Sequence, residues 1–516
     1  MEQTKWKEYI RKPAFAAFAA ALIGGYLIHQ FALVNVMHNI DDIGNLPGGY
    51  GTGLSSGRWL LTVLGDGMQF LGGNRNLPYI RGLVFLVFAA MAAMLLVSVL
   101  EIRHRSFAGW IGLLVATFPT AAAVLVYRFT AGYYGLALLL AVLAAWVTDK
   151  KYGVMLGSLC CTLSLGIYQA YIPVTIGIFL LLLLQKALRG DTDVKHLILR
   201  GIRYGVVLCL GLLLYFLGLK ICLWLYGSAL TDYQGMDTMG QLALRDIPAL
   251  VKEAFVGFCK FALTNYCGLA DSLVIKFTYI LLGVASGAMV LWLLVKRVKT
   301  MGTRLFVLLL CLLFPVAVNF LVIMAPNAWL YTTMVYAFVL VGCIPVVLWE
   351  CVLEGADPSG KGTRWLSRGL GTLLAVLALS YGYMDNVNHT ANYYFNRQVE
   401  NYVSSIVTQI RMTEGFTPEK KWAMIGKIQD PLLGSPWEYE ARYGGIFYPE
   451  RTMNDEGRDN WFWNYVGYLP PVLDAESTMA LAQTETARQM PCWPSQGSIQ
   501  VIEDIVVIKF GDLPQA

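Results

Sequence analysis

The amino-acid sequence predicts a mainly α-helical, polytopic membrane protein of about eleven transmembrane helices, with a small α/β domain at its C-terminal end. Three observations predict it. Of 516 residues, 57% are hydrophobic and only 14% charged, with a mean hydropathy of +0.55, whereas soluble globular chains carry about 25% charged residues. Apolar runs of spanning length, about 20 residues, recur along the chain. Charge also divides the chain, since residues 1–384 hold 29 Lys and Arg against 17 Asp and Glu, and residues 385–516 hold 10 against 17. A cytosolic enzyme, a disordered tail and a nucleic-acid binder are excluded.

The runs come in order at Ala14–Met37, Gly82–Leu100, Ser106–Tyr127, Phe129–Thr148, Tyr152–Gln185, Phe277–Val295, Leu305–Trp349 and Gly369–Met384, with Tyr204–Thr231 interrupted only by Lys220. Leu305–Trp349 is long enough for two spans, turning at Ala325-Pro326-Asn327. Tyr152–Gln185 is one long helix or two short ones hinged near Gly166–Pro173, and charge decides between them. Two crossings gather Lys150, Lys151, Lys186, Arg189, Lys195, Arg200, Arg203, Lys296, Arg297 and their like inside, leaving Arg58, Arg75, Arg81, Arg128, Arg245, Lys252, Lys260 and Lys276 outside. One crossing throws the later cations outward, against the positive-inside rule. Eleven spans follow, with the N-terminus and Gly190 inside, Gly434 and the tail outside, and the first span read as a retained anchor.

The domains expected are therefore a membrane body over 1–384 and an extracytoplasmic α/β domain over 385–516. Two outer loops interrupt the body. Loop 38–81 carries Trp59-Leu60-Leu61-Thr62-Val63-Leu64, which suits a helix lying along the interface. Loop 232–276 places Ile247, Val251, Ala254, Phe258 and Phe261 on one helical face. In the tail, Asn388–Arg411 reads as helix, Trp422–Ile428 as a strand, and 497–502 with 505–510 as a closing hairpin. Seven of the ten cysteines lie in or beside apolar runs, where a thiol behaves as a small hydrophobe. No His/Cys spacing suits zinc.

Four groups of residues are suited to chemistry. Asp41 and Asp42 stand where the first span leaves the membrane; a carboxylate there can take the proton of an attacking hydroxyl, or the pair can simply be a solvated helix end. The run Gly48-Gly49-Tyr50-Gly51-Thr52-Gly53-Leu54-Ser55-Ser56-Gly57-Arg58-Trp59 lacks the Gly-Lys-Ser/Thr ending of a nucleotide loop, but delivers Arg58 and Trp59 to the interface. Tyr168 and Gln169, at the hinge, are expected to face a cavity, because unsatisfied polar groups in lipid are costly; the alternative is helix packing with an interfacial tyrosine belt. Arg128 and Lys220 are the remaining conspicuous cations, each suited to a phosphate or to snorkelling.

This combination resembles the GT-C glycosyltransferases, and more narrowly the bacterial GtrII-type glucosyltransferase-domain family, which is similar to serotype-converting O-antigen glucosyltransferases. The residues carrying the resemblance are Asp41-Asp42, Gly57-Arg58-Trp59, Gly166-Ile167-Tyr168-Gln169-Ala170-Tyr171-Ile172-Pro173, and Met490-Pro491-Cys492-Trp493-Pro494 followed by Gly497-Ser498-Ile499. The resemblance implies a GT-C-like body in the bacterial cytoplasmic (inner) membrane with its active site on the extracytoplasmic side. It implies transfer of a sugar, glucose by the family, from a polyprenyl-phosphate (undecaprenyl-type) donor to a glycan acceptor such as a cell-envelope polysaccharide. Asp41 or Asp42 would be the base; Arg58, Arg128 or Lys220, with Trp59, Tyr168 and Gln169, would hold the lipid phosphate. A single displacement inverts the anomeric centre. Some relatives use a divalent cation, Mg or Mn, which Asp41 and Asp42 would bind here, and others use no cofactor. The partners are thus the lipid-linked donor, the glycan and the bilayer, with no nucleic acid. A transporter or flippase of lipid-linked sugars and a non-catalytic envelope-assembly subunit are the alternatives, and replacing both aspartates separates them.

Overall fold

The computed structural model describes residues 12–512 apart from 74, 191, 232–244, 356–359, 429–432, 434–441, 455–456 and 468–470; Gly434 and the first part of loop 232–276 lie outside the described residues. Two compact units result. The first comprises residues up to 34, 48–386 and 442–444; the second comprises 35–47, 387–441 and 445 onward. The main stretch of the second unit begins at residue 387, and the segment with Asp41 and Asp42 clusters with it.

The first unit is a helical bundle. Its first helix, α1, runs Pro13–Val34 and contains a π-turn at Ala20–Gly24. The short α2 (Ile40–Gly44) belongs to the second unit. Then come α3 (Trp59–Gly72), α4 (Pro78–Val99), α5 (Arg105–Thr117) and α6 (Pro119–Val126), the last two broken where Pro119 denies the ladder a donor. α7 (Arg128–Thr148), α8 (Gly153–Ile167), α9 (Ile172–Arg189) and α10 (Val194–Tyr226) follow. The run 152–185 is therefore two helices. Tyr168 takes an extended conformation, φ −154° and ψ 106°, and parts them at the expected hinge.

α11 (Ile247–Phe261) precedes α12 (Leu273–Lys296), α13 (Met301–Val318), the single turn α14 (Leu321–Met324) and α15 (Val339–Leu353). Nine helices among the described residues are long and apolar enough to cross a membrane. The 15-residue α8 and the apolar stretch 369–384 of the long α16 (Lys361–Met412), which the sequence also predicts as spans, fall outside those nine. Many side chains on the outer surfaces of α8, α10, α12 and α13 are exposed hydrophobics, as lipid-facing helices require.

One expected face is corrected. In α11 the buried residues are Leu250, Ala254, Gly257 and Phe261, while Val251 is exposed. The stripe is rotated because Asn319 packs on Gly257, its amide donating to the Ala254 carbonyl at 3.0 Å.

In the second unit β1 (Lys421–Ile425) pairs in parallel with β3 (Ile505–Lys509), which pairs antiparallel with β2 (Ile499–Ile502), giving the order β1-β3-β2. The β2–β3 turn uses Glu503 and Asp504, both at positive φ, as a two-residue hairpin requires. The core of the unit joins Val506, Ile508 and Phe510 to Trp422, Trp461, Phe462, to Val403, Ile406 and Ile410 of α16, and to Ile43 of α2. All ten cysteines are free.

Candidate active site

The acidic pair sits on α2, a helix of only five residues that is made possible by its cap. The Asn39 side-chain oxygen accepts the Asp42 N–H at 2.6 Å, satisfying a first-turn donor that a short helix cannot satisfy internally. Successive helical residues diverge by about 100°, so the two carboxylates part company. Asp41 is exposed; Asp42 is fully buried. Asp42 Oδ2 lies 2.7 Å from Nδ1 of His38, four residues back, ahead of the helix, and itself buried.

His38 is held in turn. Its N–H donates to Asn396 Oδ1 at 2.6 Å, the Asn396 amide donates back to the His38 carbonyl at 2.9 Å, and the ring meets Trp461 edge-on at 6.1 Å. α2 is thus fixed by a buried polar clamp from α16. The arrangement presents Asp41 outward and uses Asp42 as an internal strut.

A second cluster lies in the first unit. The loop before α3 turns through Gly57 at φ +75°, where a side chain would be strained, and delivers Arg58 and Trp59. The Arg58 guanidinium lies 5.2 Å from the centroid of the Tyr168 ring, and that ring is stacked at 4.1 Å on Tyr134. Gln169 is buried and donates to the Ser56 carbonyl at 3.0 Å and to the Tyr215 hydroxyl at 3.1 Å, while Tyr215 donates to the Gly57 carbonyl at 3.0 Å. Trp59 packs where Gly166 and Gly218 lack side chains: a Cβ on either would come within 2.9 Å of the indole. Its indole N–H is buried without a hydrogen-bond partner among the described residues. Nearby, burial and the Asp66 carboxylate push the Tyr50 phenol up to about 12.

The comparisons with known proteins meet this geometry directly. The family model described as Glucosyl transferase GtrII matches residues 30–342, well over half of the chain, and takes in α2, the Arg58 loop and the Tyr168 break. The chain belongs to the GtrII glucosyl transferase family. Membership makes it a glucosyltransferase carried on membrane-spanning helices, suited to a lipid-associated sugar donor and acceptor. Neither the search of curated proteins nor that of solved structures gave a match.

The remaining expected residues of this GtrII chain fall elsewhere. Arg128 is buried in the first unit, its Nη2 donating to the Ala32 carbonyl at 2.6 Å and its Nε to the Leu125 carbonyl at 3.3 Å, so it ties the end of α1 to α7. Lys220 is exposed on α10 and does not join Arg58 and Tyr168. Tyr168 and Gln169 are both buried: rather than lining an open cavity, Tyr168 underlies the guanidinium and Gln169 fixes the loop that carries it. Among the described residues no three His, Cys, Asp or Glu side chains gather as metal ligands.

Sequence reasoning missed His38 and the polar stripe of α16. Asn388, His389, Asn392 and Asn396 are buried in the second unit. In the first, Asp385 accepts the Tyr443 hydroxyl at 2.9 Å, 3.9 Å from His29. The signal was legible as polar residues at three- and four-residue steps directly after an apolar stretch.

Proposed function

We propose that this GtrII-family chain moves a glucosyl residue from a polyprenyl-phosphate donor to a cell-envelope glycan on the extracytoplasmic face of a bacterial inner membrane, with Asp41 as general base. The observation that supports this reading above all is the division of labour in α2: one exposed carboxylate on a helix braced by its buried neighbour through His38. Asp41 takes the proton of the acceptor hydroxyl as its oxygen bonds to the anomeric carbon. The bond from that carbon to the phosphate oxygen breaks, and the lipid phosphate departs as an anion, so no strong acid is needed. One displacement inverts the centre.

Arg58 serves the leaving phosphate. A guanidinium stacked over Tyr168 is oriented before the donor arrives, and the bidentate fork suits phosphate oxygens. Trp59, seated between two helices, offers an amphipathic ring for the carrier. A Mg or Mn ion, if bound, would be held by Asp41 and would supply positive charge for the departing phosphate. With Asp42 committed to His38, we expect transfer to survive EDTA, and a loss restored by Mg or Mn would add the cation to the reaction.

The test is transfer of labelled glucose from polyprenyl-phosphate glucose in membranes bearing the wild type or Asp41→Asn. Loss of transfer with retained donor binding supports the reading. Transfer at the wild-type rate by the Asp41→Asn, Asp42→Asn double variant would sink it and favour a transporter of lipid-linked sugars.

A further inference from the structure

We propose that the groove between α8 and α10, at the end of the bundle that carries the basic loops, binds one anionic phospholipid of the surrounding bilayer. The proposal does not rest on the transferase reading. α8 has 15 residues, about 22 Å at 1.5 Å per residue, beside the 33-residue α10, and is shorter than the ~30 Å hydrocarbon layer. The two helices leave a cavity of about 510 Å³, lined by Tyr152, Met155, Ser158, Arg203, Leu210 and Leu213 among others. Its walls are nearly all apolar. Ser158 gives its hydroxyl to the Val207 carbonyl at 3.2 Å, leaving Arg203 as the polar group at its mouth.

The charges there are cationic and uncompensated. Arg203 Nη2 donates to the Thr148 carbonyl at 2.6 Å, but its Nε is buried with no partner among the described residues. Lys150 and Lys151 flank it, their ammonium groups 5.0 and 5.1 Å from the ring centroids of Trp146 and Tyr152. Asp149, next to Lys150 in sequence, pairs with Arg200, while Glu101 pairs with Arg189 at 2.7 Å and Glu354 with Arg189 and Arg103, each at 3.1 Å. Lys150, Lys151 and Arg203 have no ion-pair partner among the described residues. α8 starts with no side-chain cap and no acidic residue in its first turn, so the positive end of its dipole adds to the same field.

An acyl chain in the groove and a phosphate at the cations answer both features at once. A zwitterionic lipid brings a cation beside its phosphate and adds no net negative charge to the site, and a free phosphate leaves the apolar cavity unfilled. A bilayer lipid is also the molecule that must adapt to a helix this short.

The experiment uses the full-length protein in mild detergent, exposed to phosphatidylglycerol or phosphatidylcholine of equal chain length, with retained lipid read by native mass spectrometry. One phosphatidylglycerol per chain is expected, and little phosphatidylcholine. Each surface cation contributes about fivefold in affinity for an anionic membrane lipid, so the Lys150→Gln, Lys151→Gln double variant should bind roughly 25-fold more weakly. Met155→Trp keeps every cation but fills the groove, and should also abolish retention. Equal retention of the two lipids, or wild-type retention by both variants, overturns the proposal. Displacement of phosphatidylglycerol by an equal concentration of polyprenyl phosphate overturns it too, by assigning the groove to the carrier.

Discussion

Asp41 and Asp42 are adjacent in sequence and opposite in circumstance, and their variants should differ in kind. Asp41→Asn removes the base and is expected to cost about a hundredfold or more in turnover, with an unchanged melting temperature because the side chain is exposed. Asp42→Ala strips a buried imidazole of its partner and should destabilise the fold by about 1–3 kcal/mol. His38→Ala should cost a similar amount, and the double variant less than the sum, since the two act as one unit. Thermal melts of the four proteins, with transfer assays alongside, check both claims; normal turnover in Asp41→Asn removes the base from the mechanism. Arg58→Ala should raise the donor KM roughly tenfold to a hundredfold, as expected for losing a charge-assisted contact of ~1.5–3 kcal/mol. Arg58→Lys should not restore it, because an ammonium lacks the planar face that lies over Tyr168. A raised acceptor KM with an unchanged donor KM would contradict the assignment.

Among the elements, α3 is placed by what its neighbours lack. Gly218→Ala pushes a methyl group to within 2.9 Å of Trp59, and overpacking of that order costs about 1–3 kcal/mol. Because Trp59 and Arg58 are neighbours, this substitution should also weaken donor binding. Gly205→Ala on the same helix meets nothing within 4 Å and should be neutral or stabilise by roughly 0.5–1 kcal/mol. Equal behaviour of the two variants would show that the Trp59 seat carries no weight. The elements most legible in the sequence were those set by hydropathy and charge: the spans, the break at Tyr168 and the closing hairpin. Close approach was not legible. The α11 face turned because Gly257, silent in any hydropathy pattern, admits Asn319, and nothing at Trp59 announces two glycines more than 100 residues further along.

At the scale of the whole molecule, the distribution of cations among the loops fixes a testable orientation. Single cysteines at Lys361 and Ser495, both exposed positions, in a background with the ten native cysteines replaced by serine or alanine, should label oppositely with an impermeant thiol reagent, Ser495→Cys from outside and Lys361→Cys only after lysis. The same pattern at both positions would undo the eleven-span arrangement. What the sequence could not disclose at this scale is the affiliation of residues 35–47. They lie next to α1 in the chain, so they read as a loop of the membrane body, yet Ile43 shares a core with Val506, Ile508 and Phe510. Such an affiliation is carried by burial between distant segments, which no local pattern encodes.

That shared core has a consequence for biosynthesis. β3 is the middle strand of its sheet and is made after β1 and β2, so β1, held until then by its bridge to Val472, lacks its sheet neighbour and Ile43 a complete core until residues 505–510 have been translated. At about 5–20 residues per second, the acidic helix waits roughly half a minute to a minute and a half for the strand that completes its support. Every apolar helix has emerged by then. A message broken shortly before residue 499 would therefore yield a chain able to insert its apolar helices while its Asp41 helix lacks its finished foundation, so that competence is conferred only on molecules translated past β3. Limited proteolysis of a chain stopped at Ser498 should accordingly leave the spans protected and release both the tail and the residue 35–47 segment.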